Sequence, residues 1–426
     1  MLSLKLLICA QIIMREKRVL IIGLVWPEPT SSAAGTRMIQ LLEVFLGDEY
    51  EVIFASAASK SAHSHDLQQM GIREAEIKLN DESFNDFIHH LSPSVIMFDR
   101  YMTEEQYGWR VRQECPSALT ILDTEDLHCL RQARQQSVRR QGNAKDAELY
   151  SEVAKREIAA ILRCDISLII SEIEIDLLVS TYNVDRSLLY YLPFLEHRLT
   201  ADVMNAWPTF QMREGFVFIG NFLHEPNWYT LQVLKKEVWP VLSRQLPGVK
   251  MHIYGAYPGQ KVLQLHKPAE HFLIHGRAED AKAAVAKHRL LLAPIRFGAG
   301  LKGKFIDAML SGTPTVTTTL GAEAMAGNLP WNGAILDDIV AFCNAAAKLY
   351  TDELRWKDAV SNGVEIINTR FTGNQFVSFF LEKLQRTSDE LAAHRQKNFI
   401  GQILQHQTLN SLKYMSMWIE EKNKQH

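Results

Sequence analysis

Cysteine is scarce in this 426-residue chain: Cys9, Cys115, Cys129, Cys164 and Cys343 are all there is, and no two form a C-x-x-C pair. An odd, scattered set supplies neither a disulfide framework nor a thiolate zinc site, and a reducing, cytoplasmic setting is the expectation. Charge of one sign is not in excess either. Lys and Arg total 46 against 49 Asp and Glu, a formal net charge of -3. Nothing global therefore draws the chain to nucleic acid or anionic lipid, and any anion site must be local. Long apolar runs are also missing. The nearest is the N-terminal "MLSLKLLICAQIIM", which is too short to span a bilayer and lacks a small-residue cleavage site. It reads as a few residues ahead of the first strand, with Met14 a natural start, or as a peripheral contact at the inner face of a membrane. Internal repeats and low-complexity segments are absent beyond an echo between two halves.

Hydrophobic residues are 47% and charged residues 22% of the chain, a globular composition with length enough for two or three cores. Short apolar runs alternate with longer amphipathic stretches, as in β-α units on a parallel sheet. In the first half "RVLIIG", "EVIFAS", "SVIMFD", "LTILDT" and "ISLII" read as buried strands, with helices in "TRMIQLLEVFL" and "AELYSEVAKREIAAILR". In the second half the strands are "GFVFIGN", "VKMHIYGA", "HFLIHG", "LLLAPI" and "TPTVTT". Between them "PNWYTLQVLKKEVWPVLSRQL" and "AEDAKAAVAKH" are helical, the former with Pro226 in a first turn, where proline is tolerated. The fold class expected is α/β: two Rossmann-like, doubly wound parallel-sheet domains, over 15–196 and 213–375, with a weakly patterned linker near 195–214 and a helical tail, 376–426.

One stretch concentrates the chemistry. "IRFGAGLKGKFIDAMLSGTPTV", residues 295–316, is a glycine-rich turn after a strand and before a helix. Such a turn presents backbone N–H groups at a helix N-terminus, where the macrodipole favours an anion. Gly298, Gly300 and Gly303 spell G-x-G-x-x-G, but the dinucleotide fingerprint belongs in the first β-α turn of its lobe, and this turn follows roughly the fourth strand. Gly298 to Lys304 also spells G-x-x-x-x-G-K, yet Phe305 stands where an NTPase needs a hydroxyl for magnesium. What remains is a glycine turn with Lys302 and Lys304, able to neutralise a diphosphate, and Asp307 one helical turn on, able to accept from ribose hydroxyls. The bland alternative is a tight helix-strand packing turn with solvated charges.

The ordered segments "FIGNFLHEPN", "VWPVLSRQLPGVKMHIYG", "LIHGRAED" and "LLLAPIRFGAGLKGKFIDAMLSGTPTVTTTLGAEAM", over about residues 215–326, resemble the nucleotide-sugar-binding lobe of the GT-B glycosyltransferases, in particular the retaining enzymes of group 1, or family 4. The first half is similar more loosely, through "RVLIIGLVWPEPTSSAAGTRMIQLL". The resemblance implies a two-lobed transferase that binds a nucleotide-sugar donor mainly on the second lobe and a hydroxyl acceptor mainly on the first, with no metal and no cofactor besides that co-substrate. It implies further that the last helices cross back to the first lobe.

Position by position, the resemblance makes Lys302 and Lys304 the diphosphate ligands and Asp307 the ribose ligand, where the family usually carries Glu. Gly35, Gly220, Asn221, Gly276, Arg277, Gly298 and Gly300 fall in its donor-binding segments, and His224 and Asn227 replace its usual Arg and Lys. The amides of Thr319, Leu320, Gly321 and Ala322 would complete the phosphate cradle, with Glu323 approaching the sugar. Arg296 and Phe297 stand where many members place a glutamate.

In the first half, "LDTEDLHCLR" gathers Asp123, Glu125, Asp126, His128 and Arg131 at a strand end, where open α/β sheets bind ligands. His128 resembles a first-lobe histidine that contacts the donor sugar and is the catalytic candidate with the two lysines; a structural histidine is the equal alternative. Asp123, with Asp99 and Arg100 from "FDRYMTEEQ", is a candidate for acceptor binding, against a helix cap and surface ion pair for the latter two. Ser31, Ser32, Thr36 and Arg37 surround Gly35. Two rival readings stay open: a nucleotide-sugar epimerase of similar fold, and a nucleotide-sugar-binding subunit without turnover.

Overall fold

A computed structural model describes residues 17–140 and 142–406, together with Tyr414 and Trp418. The N-terminal apolar stretch, Cys9 and most of the last twenty residues lie outside the described residues. The other four cysteines are free and buried.

Two all-parallel sheets organise the chain, as the alternation predicts. The first contains β1 (Arg18–Gly23), β2 (Glu51–Ser56), β3 (Arg73–Glu76), β4 (Val95–Asp99), β5 (Leu119–Asp123), β6 (Ile166–Ile169) and β7 (Leu189–Tyr191), in the order β3-β2-β1-β4-β5-β6-β7. The second contains β8 (Phe216–Ile219), β9 (Met251–Tyr254), β10 (Phe272–Gly276), β11 (Leu290–Ala293), β12 (Thr315–Thr317) and β13 (Gly333–Ile335), in the order β10-β9-β8-β11-β12-β13. Both are doubly wound. Helices cover both faces of a parallel sheet, so its inner strands read as unbroken apolar runs. Val19 to Ile22 in β1 and Leu290 to Ala293 in β11 are fully buried.

Three strands were not predicted, and all lie at sheet edges: β3 and β7 in the first sheet, β13 in the second. Edge strands are short and half-solvated, so "REAE" of β3 and "GAI" of β13 lack the apolar run that marks an inner strand. The helix expected over 147–163 starts only at Glu152, because Ser151 takes the N-cap and its side chain accepts the Ala154 N–H. The helix over 226–246 is α over Glu225–Val233, widens to π over Leu234–Val238, and resumes as α over Trp239–Gln245. Pro240 supplies no N–H to the preceding turn, which accounts for the wide turn before it.

The two connections between the lobes run side by side. The Glu196 N–H donates to Phe371 O at 2.7 Å, and the Gly373 N–H donates to Glu196 O at 2.9 Å. The helix Asn374–Asp389 then packs on the first lobe, where Phe380 lies edge-on to Phe45. Arg395 follows, pairing with Asp165 at 2.8 Å. Among the described residues, no helix is long and apolar enough to cross a membrane.

Candidate active site

In each sheet the strand order reverses beside its first strand, between β1 and β4 and between β8 and β11. Loops leaving the carboxyl ends of strands diverge there and open a crevice. The two crevices face each other. A cavity of about 1180 Å³ lies between them, lined by the loop after β1 (Leu24 to Ser32), Asp99 and Arg100 after β4, Gly220 and Asn221 after β8, and the glycine turn after β11.

The turn leads into the helix Gly303–Leu310, with Lys302 at the N-cap. The first amides of that helix have no acceptor within it. Both lysines turn into the cavity rather than out to bulk solvent. Lys302 is 8% exposed; its Nζ donates to Gly300 O at 2.8 Å and stands 4.0 Å from Glu323 Oε2. The Lys304 Nζ donates to Asn227 Oδ1 at 2.7 Å and lies over the Phe218 ring. Asn227 fits there because residue 220 is glycine: a Cβ on Gly220 would come within 2.7 Å of the Asn227 Cγ. Burial pulls Lys302 down to about 8. Burial, and then the neighbouring Lys302 charge, do the same to Lys304. The Lys302 charge disfavours a second ammonium at Lys304, a cost that a bound anion would relieve. One turn deeper, burial raises Asp307 to about 7, against the pull of Lys282 and Lys304.

The opposite wall belongs to the first lobe. Asp99 is 3% exposed; its Oδ2 accepts the Leu24 N–H at 3.1 Å while Oδ1 has no partner, and burial raises its pKa. Asp126 pairs with Arg131, and although burial opposes it, Arg131 and His128 hold that carboxyl well below its ordinary range. The His128 Nδ1 lies 3.0 Å from Asp126 O and 3.5 Å from Glu157 Oε1, so one ring nitrogen is anchored and the imidazole lines the cavity. Burial, then the nearby Asp123, pushes Glu125 up to about 8. Arg100 and Glu125 are both non-glycine residues in left-handed backbone, at φ 70° and 62°. Such strain persists where surrounding structure over-determines it, and it gathers at functional sites.

Of the residues picked from sequence, Gly35, Asp99, Arg100, His128, Gly220, Asn221, Arg277, Gly298, Lys302, Lys304 and Asp307 line this one cavity. Others are placed elsewhere. Asp123 is fully buried and gripped by the Arg37 guanidinium, with Nη2 to Oδ1 at 2.8 Å, so the pair is a strut inside the lobe and not an acceptor contact. The Gly276 carbonyl accepts the Gly255 N–H. Gly300 faces the first lobe. The Thr319-to-Ala322 amides do not form a cradle over the cavity: Asp337 accepts the Thr319 N–H at 2.8 Å, and Thr318 accepts those of Gly321 and Ala322. Glu323 meets an arginine, with Oε1 and Oε2 accepting from Arg134 at 2.8 and 2.7 Å. Arg296 turns away to Glu237 at 2.6 Å.

Sequence reasoning missed the residues that join the lobes. Tyr257 donates to Glu28 at 2.8 Å and Arg370 to Glu172 at 2.6 Å, while Arg277, picked for the donor, reaches Thr30 and Ser31 of the first lobe. Arg134 and Glu174 reach the glycine turn itself. No local pattern marks these partners, which are far apart in the chain. Among the described residues, no group of three or more His, Cys, Asp or Glu side chains is arranged to hold a metal ion.

Residues 213–352 match the family model described as Glycosyl transferases group 1. Among solved structures, sucrose-phosphate synthase from Thermosynechococcus elongatus has a TM-score of 0.62 at 14% identity, over 88% of this chain and 100% of that one. HepE from Anabaena, solved with UDP and glucose, has a TM-score of 0.66 at 12% identity, over 87% and 100%. TarM, a protein of S. aureus in a related crystal structure, has a TM-score of 0.66 at 9% identity, over 87% and 99%. At such identities the likeness is one of fold. No curated protein matches the sequence.

Proposed function

From the match of residues 213–352 to the model of the group 1 glycosyl transferases and the GT-B fold of the chain, we propose that it moves a sugar from a nucleoside diphosphate sugar to a hydroxyl acceptor, retaining the anomeric configuration. The observation that carries the reading is the pair of buried ammonium groups, Lys302 and Lys304, turned into the interlobe cavity with the amides of a helix N-terminus beside them. HepE is solved with UDP and glucose, and with UDP-glucose, which supports a nucleotide sugar as the donor class.

Glycosyl transfer builds positive charge on the anomeric carbon and negative charge on the departing diphosphate. A preorganised set of donors around the diphosphate stabilises that separation, and each well-placed donor contributes on the order of 10²- to 10³-fold in rate. Lys302, Lys304 and the first amides of Gly303–Leu310 are this set. No protein nucleophile is required: the acceptor hydroxyl attacks on the leaving-group face, and a diphosphate oxygen takes its proton. His128 contacts the donor sugar from the first lobe, Asp307 holds the ribose, and Asp99 with Arg100 orients the acceptor. The interlobe contacts exclude water, which limits donor hydrolysis.

The test is transfer, or slow hydrolysis, across a panel of UDP-, GDP- and ADP-sugars, with the product anomer read by NMR. If no member of the panel binds, the reading falls. A binding-only subunit has one observation in its favour: with Arg296 at the position where the family usually carries a glutamate, and Glu323 held by Arg134, neither position brings a free carboxylate to the sugar. Tight donor binding without turnover under any acceptor would select it.

A further inference from the structure

Two side chains of the first lobe grip the glycine turn of the second without entering the cavity. Arg134, in the helix His128–Arg139, donates Nη1 to Gly298 O at 2.9 Å and to Glu323 Oε2 at 2.7 Å, and Nη2 to Glu323 Oε1 at 2.8 Å. Glu174, in the first turn of the helix Glu172–Ser180, accepts the Gly300 N–H at 2.7 Å and the Leu127 N–H at 3.2 Å, both on Oε1. Its Oε2 is buried and has no partner. Neither residue is among those lining the cavity. The contact between lobes here is direct. Gly300 sits at φ 60°, and a Cβ on it would fall 2.8 Å from the Asp126 Cβ across the cleft.

The turn sets where Lys302 and the following amides lie, so whatever holds the turn shapes the anion site. Its first carbonyl and its middle amide are both held from the other lobe. Arg134 has a second effect. It occupies both oxygens of Glu323, which otherwise stands close enough to draw the Lys302 ammonium out of the cavity. Burial raises the Glu174 carboxyl to about 8, with the nearby Asp126 adding to the shift, so near neutrality it accepts from the two amides as an uncharged acid.

We infer that Arg134 and Glu174 are positioning residues for the diphosphate site: from the first lobe they hold the Gly298-to-Lys302 turn of the second in its binding shape, so the donor site is complete only when the lobes are closed. This rests on the reading of Lys302 and Lys304 as diphosphate ligands, and the experiment separates the two. The full-length chain is titrated calorimetrically with UDP, GDP and ADP, and the tightest ligand is carried through a set of variants. Arg134→Met is expected to weaken binding by roughly tenfold, although it cannot touch the nucleotide, and to add little once Lys302→Ala is present, as for residues acting on one group. Glu174→Gln keeps an acceptor for both amides and is expected to stay within about twofold of wild type, whereas Glu174→Ala matches Arg134→Met. If thermal unfolding shows that Glu174→Ala does not fold, Arg134→Met and the double variant carry the test. Wild-type affinity in Arg134→Met, or full additivity with Lys302→Ala, while Lys304→Ala binds weakly, overturns the inference and leaves the site reading intact. Wild-type affinity in Lys304→Ala overturns the site reading itself, and the inference with it.

Discussion

Donor binding should take up protons. Lys302 and Lys304 stand at about 8 in the free protein, below their ordinary 10.5, because burial disfavours the charged form. A diphosphate seated between them restores both charges, so the bound-state values lie above the free ones. Linkage then fixes the sign: binding takes up protons, and affinity falls as pH rises through about 8. Each lysine weakens binding by the factor 1 + 10^(pH − 8), which grows by roughly fourfold between about pH 7 and 8.5, or roughly fifteenfold for the pair. A nucleotide sugar is the proper ligand, since the terminal phosphate of a free nucleoside diphosphate titrates near pH 6 and adds a trend of the opposite sign. Calorimetry at about pH 8, in two buffers of different ionisation enthalpy, should count about one proton taken up per molecule bound, half from each lysine. Lys304→Met should roughly halve that count. A flat affinity from about pH 7 to 8.5 with no proton uptake would refute the reasoning, since the ammonium groups would then not meet the diphosphate.

Other outcomes follow from the same contacts. Asp307, at about 7 by burial, should ionise further when ribose hydroxyls donate to it, so in titrations extended down to about pH 6 the wild type should gain donor affinity between about pH 6 and 7, and Asp307→Asn should abolish that rise. Glu174 is raised in the folded state to about 8 from 4.5, so stability is fully present below the unfolded value and is lost as pH rises through the folded one. Urea unfolding of Glu174→Gln against wild type should therefore show a gap that widens from about pH 5 to pH 8 by a few kcal/mol; a constant gap would mean that the carboxyl is not held neutral. Arg37→Met leaves the Asp123 carboxylate buried without its ion pair and should cost about 3–5 kcal/mol in urea unfolding, where less than about 1 kcal/mol would show that the pair is not a strut.

What could be read from sequence divides along a physical line. Inner strands are buried on both faces, and their apolar runs announce them; β3 and β13 pair on one side only and carry no such run, and β7 is a three-residue edge strand, too short to stand out from the linker it leads into. The glycine turn and its two lysines were legible because their chemistry is local, a helix N-terminus and charges within one turn of it. Arg134 and Glu174 were not, because they meet the turn across 164 and 126 positions of chain, and an arginine or glutamate on a helix face looks the same whether it is solvated or reaches another domain. The amides of Thr319, Gly321 and Ala322 were misjudged for a related reason. A loop after a strand suggests free amides, but Asp337 and the Thr318 cap had already taken them. Asp123 was drawn toward the acceptor by its place at a strand end, while its actual partner, Arg37, comes from a helix 86 positions earlier.

The charge states in the cleft give this line its functional meaning. The carboxyls of Glu125 and Glu174 are pushed to about 8 and that of Asp307 to about 7, so near neutral pH the first two are largely uncharged and the third is partly so. The acids held below their ordinary values, Asp126 and Glu323, are each matched by an arginine, Arg131 and Arg134. The anion-binding character of the cavity is therefore local to Lys302 and Lys304 at the helix N-terminus, since Glu28, Glu196, Glu279 and Asp280 also line it. An anion gains beside these lysines of the second lobe, where, on the proposed function, the leaving group departs. On the first-lobe wall Asp99 carries a buried oxygen without a partner, and on the proposed function it faces the acceptor. On the same reading the two sets sit on separate lobes, and the turn lies under Arg134 and Glu174 where the lobes meet, out of water, so that each ammonium counts for more.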